Sequence, residues 1–379
     1  MKTKAVQLFT VCVHHFLGCN YDYVYSELEK EFPNIDFYRC FMDPVMQKKG
    51  LTPDQKLRRS MFSKLPECEP KKNVVAIIGG DFPIDGSSDL MTFFKENNIE
   101  VRQVQTSKTY EDFLKISEAF LFIDIHPAGE LAIRTVAKRL NREYLYLPAS
   151  FDTDVINEQL RSLGKVLGKE IEMDSFIQKK HIQEENVSKT SNVQENVSNI
   201  ELDKRIQGLK ETIGNSVIFI DGTAHPRPLS LARFLLEHGI KVDTVFLDFI
   251  NPEEEKDFLF LKENYPDLIL SATMHVKKRF LDDAGFVADE YFGNSVSTGS
   301  AVSDLGNANV IRVAVGQKAA YFSRTEHFVN IVNGFGLWGY DGIIKMCDLI
   351  EDAYRNKKDT RDIVPRKGLG CESCVENYI

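Results

Sequence analysis

Between Val74 and Leu147, apolar runs of strand length alternate with segments of helical periodicity, and this alternation constrains the fold more than any other feature. Val74-Val-Ala-Ile-Ile-Gly-Gly-Asp81 reads as a buried strand entering a Gly-Gly turn, and Ser87–Asn98 as an amphipathic helix. Ile99–Gln105 is a second strand, Thr109–Ser117 a helix and Ala119–Ile125 a third strand. Pro127 opens a third helix at its first turn, where a missing N–H costs nothing, and Tyr144-Leu-Tyr-Leu-Pro148 is a fourth strand. Strands alternating with helices predict a parallel sheet covered on both faces. Ligands of such sheets bind beyond the strands' carboxyl ends, which singles out the loops at Gly79–Asp85, Ser107 and His126–Glu130.

The second half repeats the rhythm. Ser216–Asp221, Lys241–Leu247, Asp267–Leu270 and Val310–Val313 read as strands, and Pro228–His238, Pro252–Asn264 and about Gly342–Asn356 as helices. The fold class is therefore α/β, with repeated doubly wound, Rossmann-like parallel-sheet domains at 73–169 and 205–334. Residues 170–204 carry a polar tract, with Gln183-Glu-Glu-Asn-Val-Ser188 echoed at Gln194–Ser198, and read as a linker or a solvated helix. Residues 1–72 and 335–379 complete no βα unit alone and are expected to pack together as a smaller, truncated lobe.

A length of 379 residues suits two or three domains, and 26 phenylalanines supply ample core. The formal charge of −9, with acids and bases interspersed, argues against nucleic acid or an anionic membrane as partner. No run approaches the ~18 apolar residues of a membrane span, and Met1-Lys-Thr-Lys lacks a signal-peptide core, so a cytoplasmic location is expected. Seven cysteines, at positions 12, 19, 40, 68, 347, 371 and 374, suit buried thiols or metal ligands better than a disulfide framework.

Cys12 on a strand from Val6 to Val13 and Cys347 in mid-helix are assigned to core. Cys19, Cys40 and Cys68 fall on loops around the small lobe, where thiolates can converge on an iron–sulfur cluster, or with nearby histidines on zinc. The plain alternative is that each is a small buried hydrophobe. Cys371-Glu-Ser-Cys374 has the spacing of a redox dithiol or half a metal site. Gly334-Phe-Gly-Leu-Trp-Gly339 matches G-x-G-x-x-G, but no strand carrying an acid follows it. No P-loop is present, so ATP is not expected to bind this chain. Asp124 and His126 at a strand's carboxyl end are candidate catalytic proton carriers, against the alternative that His126 and Glu130 merely cap a helix. His225 occupies the matching place after Asp221, and His327 lies in Arg324-Thr-Glu-His327. These loops are expected to converge on one crevice, with His126 and His327 delivering protons near neutral pH.

Several segments together resemble the nitrogenase component 1 superfamily, which includes nitrogenase subunits, cluster-assembly scaffolds and tetrapyrrole reductases. His15-Phe-Leu-Gly-Cys19 is similar to a cluster-ligand segment of that family, with Phe-Leu in place of Gly-Pro. The order of Asn73–Gly80, Ile99–Arg102, Tyr110–Phe113, Gly129–Arg139 and Tyr144–Pro148 is similar to a family domain, and Ser216–Asp221 with Leu231–Leu235 to the next. Gly339-Tyr-Asp-Gly-Ile343 resembles its Gly-Tyr-x-Gly segment. The resemblance implies a [4Fe-4S] cluster held by Cys19, Cys40 and Cys68, with pairing to a second copy or a paralogue. It also implies an ATP-hydrolysing iron–sulfur partner that supplies low-potential electrons for an unidentified substrate. A non-catalytic cluster scaffold or carrier is the alternative. The chain departs from the family where a cofactor-binding Cys is replaced by Ile125 and a cofactor-binding His by Trp338, so the large nitrogenase cofactor is not expected. Glu67-Cys-Glu-Pro70 keeps a trace of the third ligand's Glu-Cys-Pro setting.

Overall fold

The computed structural model describes residues 3–42, 51–181, 200–273 and 310–358. The chain divides into two compact units, Met1–Pro148 and Ala149–Ile379.

The first unit opens with β1 (Ala5–Val11), α1 (Cys12–Phe16), α2 (Tyr21–Glu31), β2 (Asp36–Met42) and α3 (Pro53–Met61). Strands β1 and β2 pair in parallel as a separate two-stranded sheet. The doubly wound part follows as β3 (Lys71–Ile78), α4 (Asp89–Glu96), β4 (Glu100–Gln103), α5 (Tyr110–Leu114), β5 (Ala119–Asp124), α6 (Glu130–Leu140) and β6 (Glu143–Tyr146). Its sheet is parallel in the order β4-β3-β5-β6. Every residue from Val74 to Ile78 is buried, which explains a continuous apolar run in place of alternation. Helix α4 begins at Ser88, whose hydroxyl accepts from the Met91 amide, and α6 stops at Asn141 in the left-handed region. The first strand is shorter than its apolar run suggests. It ends at Val11, whose amide donates to His14 Nδ1 at 3.2 Å, so Cys12 starts a short helix and is half-buried.

The second unit comprises α7 (Thr153–Leu167), α8 (Glu170–His181), α9 (Ile200–Ile213), β7 (Val217–Asp221), α10 (Pro228–Glu237), β8 (Val242–Phe246), α11 (Glu255–Asn264), β9 (Ile269–Ser271), β10 (Arg312–Val315), α12 (Gln317–Ser323), β11 (Phe328–Val329) and α13 (Gly339–Arg355). The strands form a parallel sheet in the order β11-β10-β7-β8-β9.

Two sequence expectations change here. Part of the expected linker is α8, which buries Met173, Phe176 and Ile177 and packs against α7. A Cβ on Gly164 would lie 2.7 Å from Met173 Cβ, so the two helices approach as closely as glycine allows. The i, i+3, i+4 spacing of those apolar residues, hidden by polar surroundings, defines a packed face. The described part of the segment 335–379 is not grouped with residues 1–72 either. Its α13 lies in the second unit, where Tyr340, Ile343, Met346, Cys347 and Ile350 are buried and the helix packs on α9, β10 and β11. Cys347 is core as expected, and burial pushes its thiol up to about 12.

Met173→Ala is expected to lower the unfolding free energy by roughly 2–5 kcal/mol in urea titrations. A loss below about 0.5 kcal/mol, typical of surface positions, would return α8 to the status of a solvated linker.

Candidate functional site

In each of the two larger sheets the winding reverses once, and ligands of doubly wound sheets bind beyond the strand ends at such a point. In the first unit the reversal lies between β3 and β5, in the second between β7 and β10. An aspartate ends one strand of each pair, Asp124 on β5 and Asp221 on β7, and both are fully buried. A glycine with positive φ follows the neighbouring strand, Gly79 at 95° and Gly316 at 109°. A Cβ on Gly79 would stand 2.2 Å from Asp124 Oδ1, and one on Gly316 2.1 Å from Asp221 Oδ2. Gly129 packs against Gly79 and the same carboxyl, its own Cβ position being 2.5 Å from Asp124 Oδ2 and 2.6 Å from Gly79 Cα. Both sheets thus hold a carboxyl against bare backbone.

The two carboxyls differ in their partners. Asp221 Oδ1 accepts from the amides of Thr223 at 2.8 Å and Ala224 at 3.0 Å and from the Thr223 hydroxyl. Its Oδ2 accepts from the Ala319 amide at 2.9 Å, at the start of α12. Burial raises its pKa, and those donors pull the other way. Asp124 Oδ1 accepts from the His126 amide at 3.0 Å, but Oδ2 is buried without a hydrogen-bond partner among the described residues. Burial therefore pushes the Asp124 carboxyl well above the usual range, against the pull of the His126 amide and the Arg58 guanidinium. Arg58, from α3, is itself buried and ties the loop together. It donates to the Gly79 carbonyl, to Asp81 Oδ1 at 2.8 Å and to Asp54 Oδ1 at 3.0 Å. No sequence pattern marked Arg58, because its role depends on a helix crossing a distant loop.

The histidines repeat one local device. His126 and His225 each precede a proline, which has no N–H to give, and the next amide donates to the ring. Ala128 N lies 3.2 Å from His126 Nδ1, and Arg227 N lies 3.0 Å from His225 Nδ1. A neutral ring in that arrangement carries its hydrogen on Nε2. His126 is half-buried and caps the turn at Pro127–Gly129, so the capping role is real; Glu130 follows as the first residue of α6. His225 is buried against the Phe151 ring at 4.9 Å. His327 does not share this edge. It immediately precedes β11, at the amino end of the strand, where Nδ1 contacts the Ala353 carbonyl at 3.0 Å. The expected convergence of the Arg324–His327 loop with Asp221 and His225 is corrected by the parallel topology, which puts their strand ends on opposite edges.

The amides that a nucleotide phosphate would take are already used in the second unit. Asp221 holds the start of α12, and Glu254 Oε1 accepts from the Leu229 and Ser230 amides at the start of α10. The Gly334–Gly339 segment instead folds over the loop after β7, with Asn333 N on the Thr223 carbonyl at 2.9 Å and Gly334 N on that of Ala224 at 2.8 Å.

The cysteines lie in unlike settings. Cys19 is exposed just after α1, beside Phe16 and Leu17, which are 71% and 74% exposed. Cys40 lies within β2 rather than on a loop, fully buried, and burial pushes its thiol up. Cys68 is exposed and its Sγ lies 3.3 Å from Ser117 Oγ. Among the described residues no three His, Cys, Asp or Glu side chains are gathered to hold a metal ion, so one chain does not bring Cys19, Cys40 and Cys68 together as a ligand set. Cys371 and Cys374 lie outside the described residues.

No protein-family model matches the chain, and no curated protein matches it in sequence. Solved structures do match. Nitrogenase Cp1 at pH 6.5 aligns with a TM-score of 0.58 at 13% identity, covering 98% of this chain and 78% of that one. Nitrogenase Cp1 at pH 5 gives 0.54 at 13% identity, covering 93% and 70% respectively. The chain therefore has a nitrogenase-like α/β fold with parallel sheets. Among the described residues no helix is long and apolar enough to cross a membrane.

The aspartates separate on substitution. A carboxyl with a raised folded pKa stabilises fully below its unfolded value and loses that contribution as pH rises. Wild-type stability should thus fall from about pH 4 toward neutrality more steeply than that of Asp124→Asn. Asp221 shares that sign of pH dependence, but Asp221→Asn should in addition cost roughly 1–3 kcal/mol at neutral pH, since its amide nitrogen would confront a donor. Urea titrations across pH check both; equal behaviour of the two variants would contradict the distinction.

Proposed function

We propose that this chain is a nitrogenase-like reductase component in the cytoplasm. A separate ATP-hydrolysing iron–sulfur protein supplies low-potential electrons, and this chain directs them to a substrate not yet identified. The observation that carries the reading is the nitrogenase-like fold over 98% of the chain, combined with Cys19 exposed in an apolar segment. Within one chain the residues fit an iron–sulfur cluster only in part, because Cys40 is sealed in β2 and, among the described residues, no three such side chains are gathered to hold a metal ion. They fit a [4Fe-4S] cluster shared by two copies, each supplying Cys19, with Cys68 as a further exposed thiol and Cys40 remaining core. Such a cluster supplies one-electron chemistry when bound.

The chain's own contribution is the proton. Burial favours the protonated form of Asp124 at the end of β5, and His126 beside it presents Nε2–H when neutral. The residues Phe9, Val11, Val13, Phe16 and Leu17 form an exposed apolar run leading to Cys19, which a second copy would cover. A scaffold or carrier that releases its cluster is the second reading, favoured by the exposure of Cys19. Turnover separates them: a reductase consumes its partner's electrons only with substrate present, whereas a carrier passes iron to an acceptor protein.

Anaerobic reconstitution with iron and sulfide is expected to give a coloured dimer. Cys19→Ser should lose the iron, and Phe16→Asp with Leu17→Asp should lose the dimer and the iron together. Undiminished iron in Cys19→Ser would sink the cluster reading.

A further inference from the structure

The turn Pro252–Glu254 sits over the start of α10, and three contacts hold it there. Glu254 Oε1 accepts from Leu229 N at 2.7 Å and Ser230 N at 3.2 Å, and Asn251 Nδ2 donates to the Pro226 carbonyl at 2.7 Å. These contacts fix the residues that follow His225, whose Nδ1 takes the Arg227 amide. Ser230 also accepts from Phe151 N at 3.2 Å, and the Phe151 ring packs on His225. The seat of Glu254 is therefore the seat of the loop at the second unit's switch point.

Glu254 is 1% exposed, and its Oε2 has no hydrogen-bond partner among the described residues. The charged groups around it are Arg227, which precedes α10, and Asp257 of α11. Arg227 pairs with Asp257 at 3.1 Å, Asp257 with Arg233 at 3.2 Å, and Arg233 with Glu237 at 3.3 Å. Those two cations and two anions balance without Glu254. An ionised Glu254 is thus excess charge in a buried place, where charge is costly unless paired. His225, whose ring accepts from the Arg227 amide, is a further titratable group beside this cluster, and Glu253 and Glu255 flank Glu254 in the chain.

We propose that Glu254 is a proton-operated latch: with its proton it stays seated on α10 and fixes the His225 loop, and without it the turn opens and the loop is released. Burial raises the Glu254 carboxyl from 4.5 to about 7, which places the change near neutrality. A carboxyl in the opened turn ionises in the ordinary range, so opening becomes easier as pH rises between those two values. Linkage gives about a tenfold increase in the open fraction from pH 6 to pH 8.

Hydrogen–deuterium exchange on the full chain tests this, with rates corrected for the intrinsic pH dependence of exchange. Protection of the Leu229 and Ser230 amides should fall about tenfold from pH 6 to pH 8, while amides in α9 stay level. Glu254→Gln keeps an acceptor for both amides and cannot ionise, so its protection should not change with pH. Equal protection at both pH values in the wild type, or the same fall in Glu254→Gln, would overturn the latch. If that variant does not fold, a carboxyl carbon NMR titration of wild-type Glu254 decides: a midpoint near 7 supports the latch and one near 4.5 overturns it.

Discussion

Each of the two larger sheets of this protein closes around a carboxyl group pressed against glycine. Asp124 and Asp221 end strands at the two points where the winding reverses, and Gly79, Gly129 and Gly316 leave no room for a side chain beside them. A buried carboxyl must be either well supplied with donors or neutral, because water is not there to solvate its charge. The two sites take different solutions. Asp221 gathers backbone amides and a hydroxyl and so ties α12 to the loop after β7. Asp124 has Oδ2 without a partner among the described residues and is driven toward the neutral acid. One fold feature thus serves as a structural clamp in one unit and leaves a carboxyl with a raised pKa in the other.

The doubly wound architecture is legible because strands buried on both faces appear as unbroken apolar runs, as in Val74–Ile78 and Val217–Ile220. Asp124, His126, Asp221 and His225 were legible for the same reason, since each follows from where a strand ends. What failed to show depended on partners distant in sequence. Arg58 reaches the Gly79 loop only because α3 crosses it, and Glu254 caps a helix 25 residues earlier in the chain. Helix α8 was masked by polar neighbours of its apolar face. His327 was placed on the wrong edge because the strand after it has only two residues and left no periodic signal. Cys40 was read as a loop residue, whereas its strand is half of a separate small sheet.

The fold likeness and the local chemistry bear on function in different ways. A shared architecture with nitrogenase Cp1 at 13% identity establishes shape and nothing about reaction. The residues add the specific content: an exposed Cys19 at the tip of an apolar segment, a carboxyl that burial pushes well above its usual range beside a half-buried histidine, and helix starts already occupied by internal carboxyls.

The retained proton on Asp124 is the central physical claim, and infrared spectroscopy addresses it directly. Difference spectra between wild type and Asp124→Asn at neutral pH should show the carbonyl stretch of a protonated carboxylic acid, shifted by deuterium exchange and missing from the variant. A difference spectrum containing only carboxylate bands would mean that Asp124 is ionised, and the proton-holding role of the β5 strand end would be wrong.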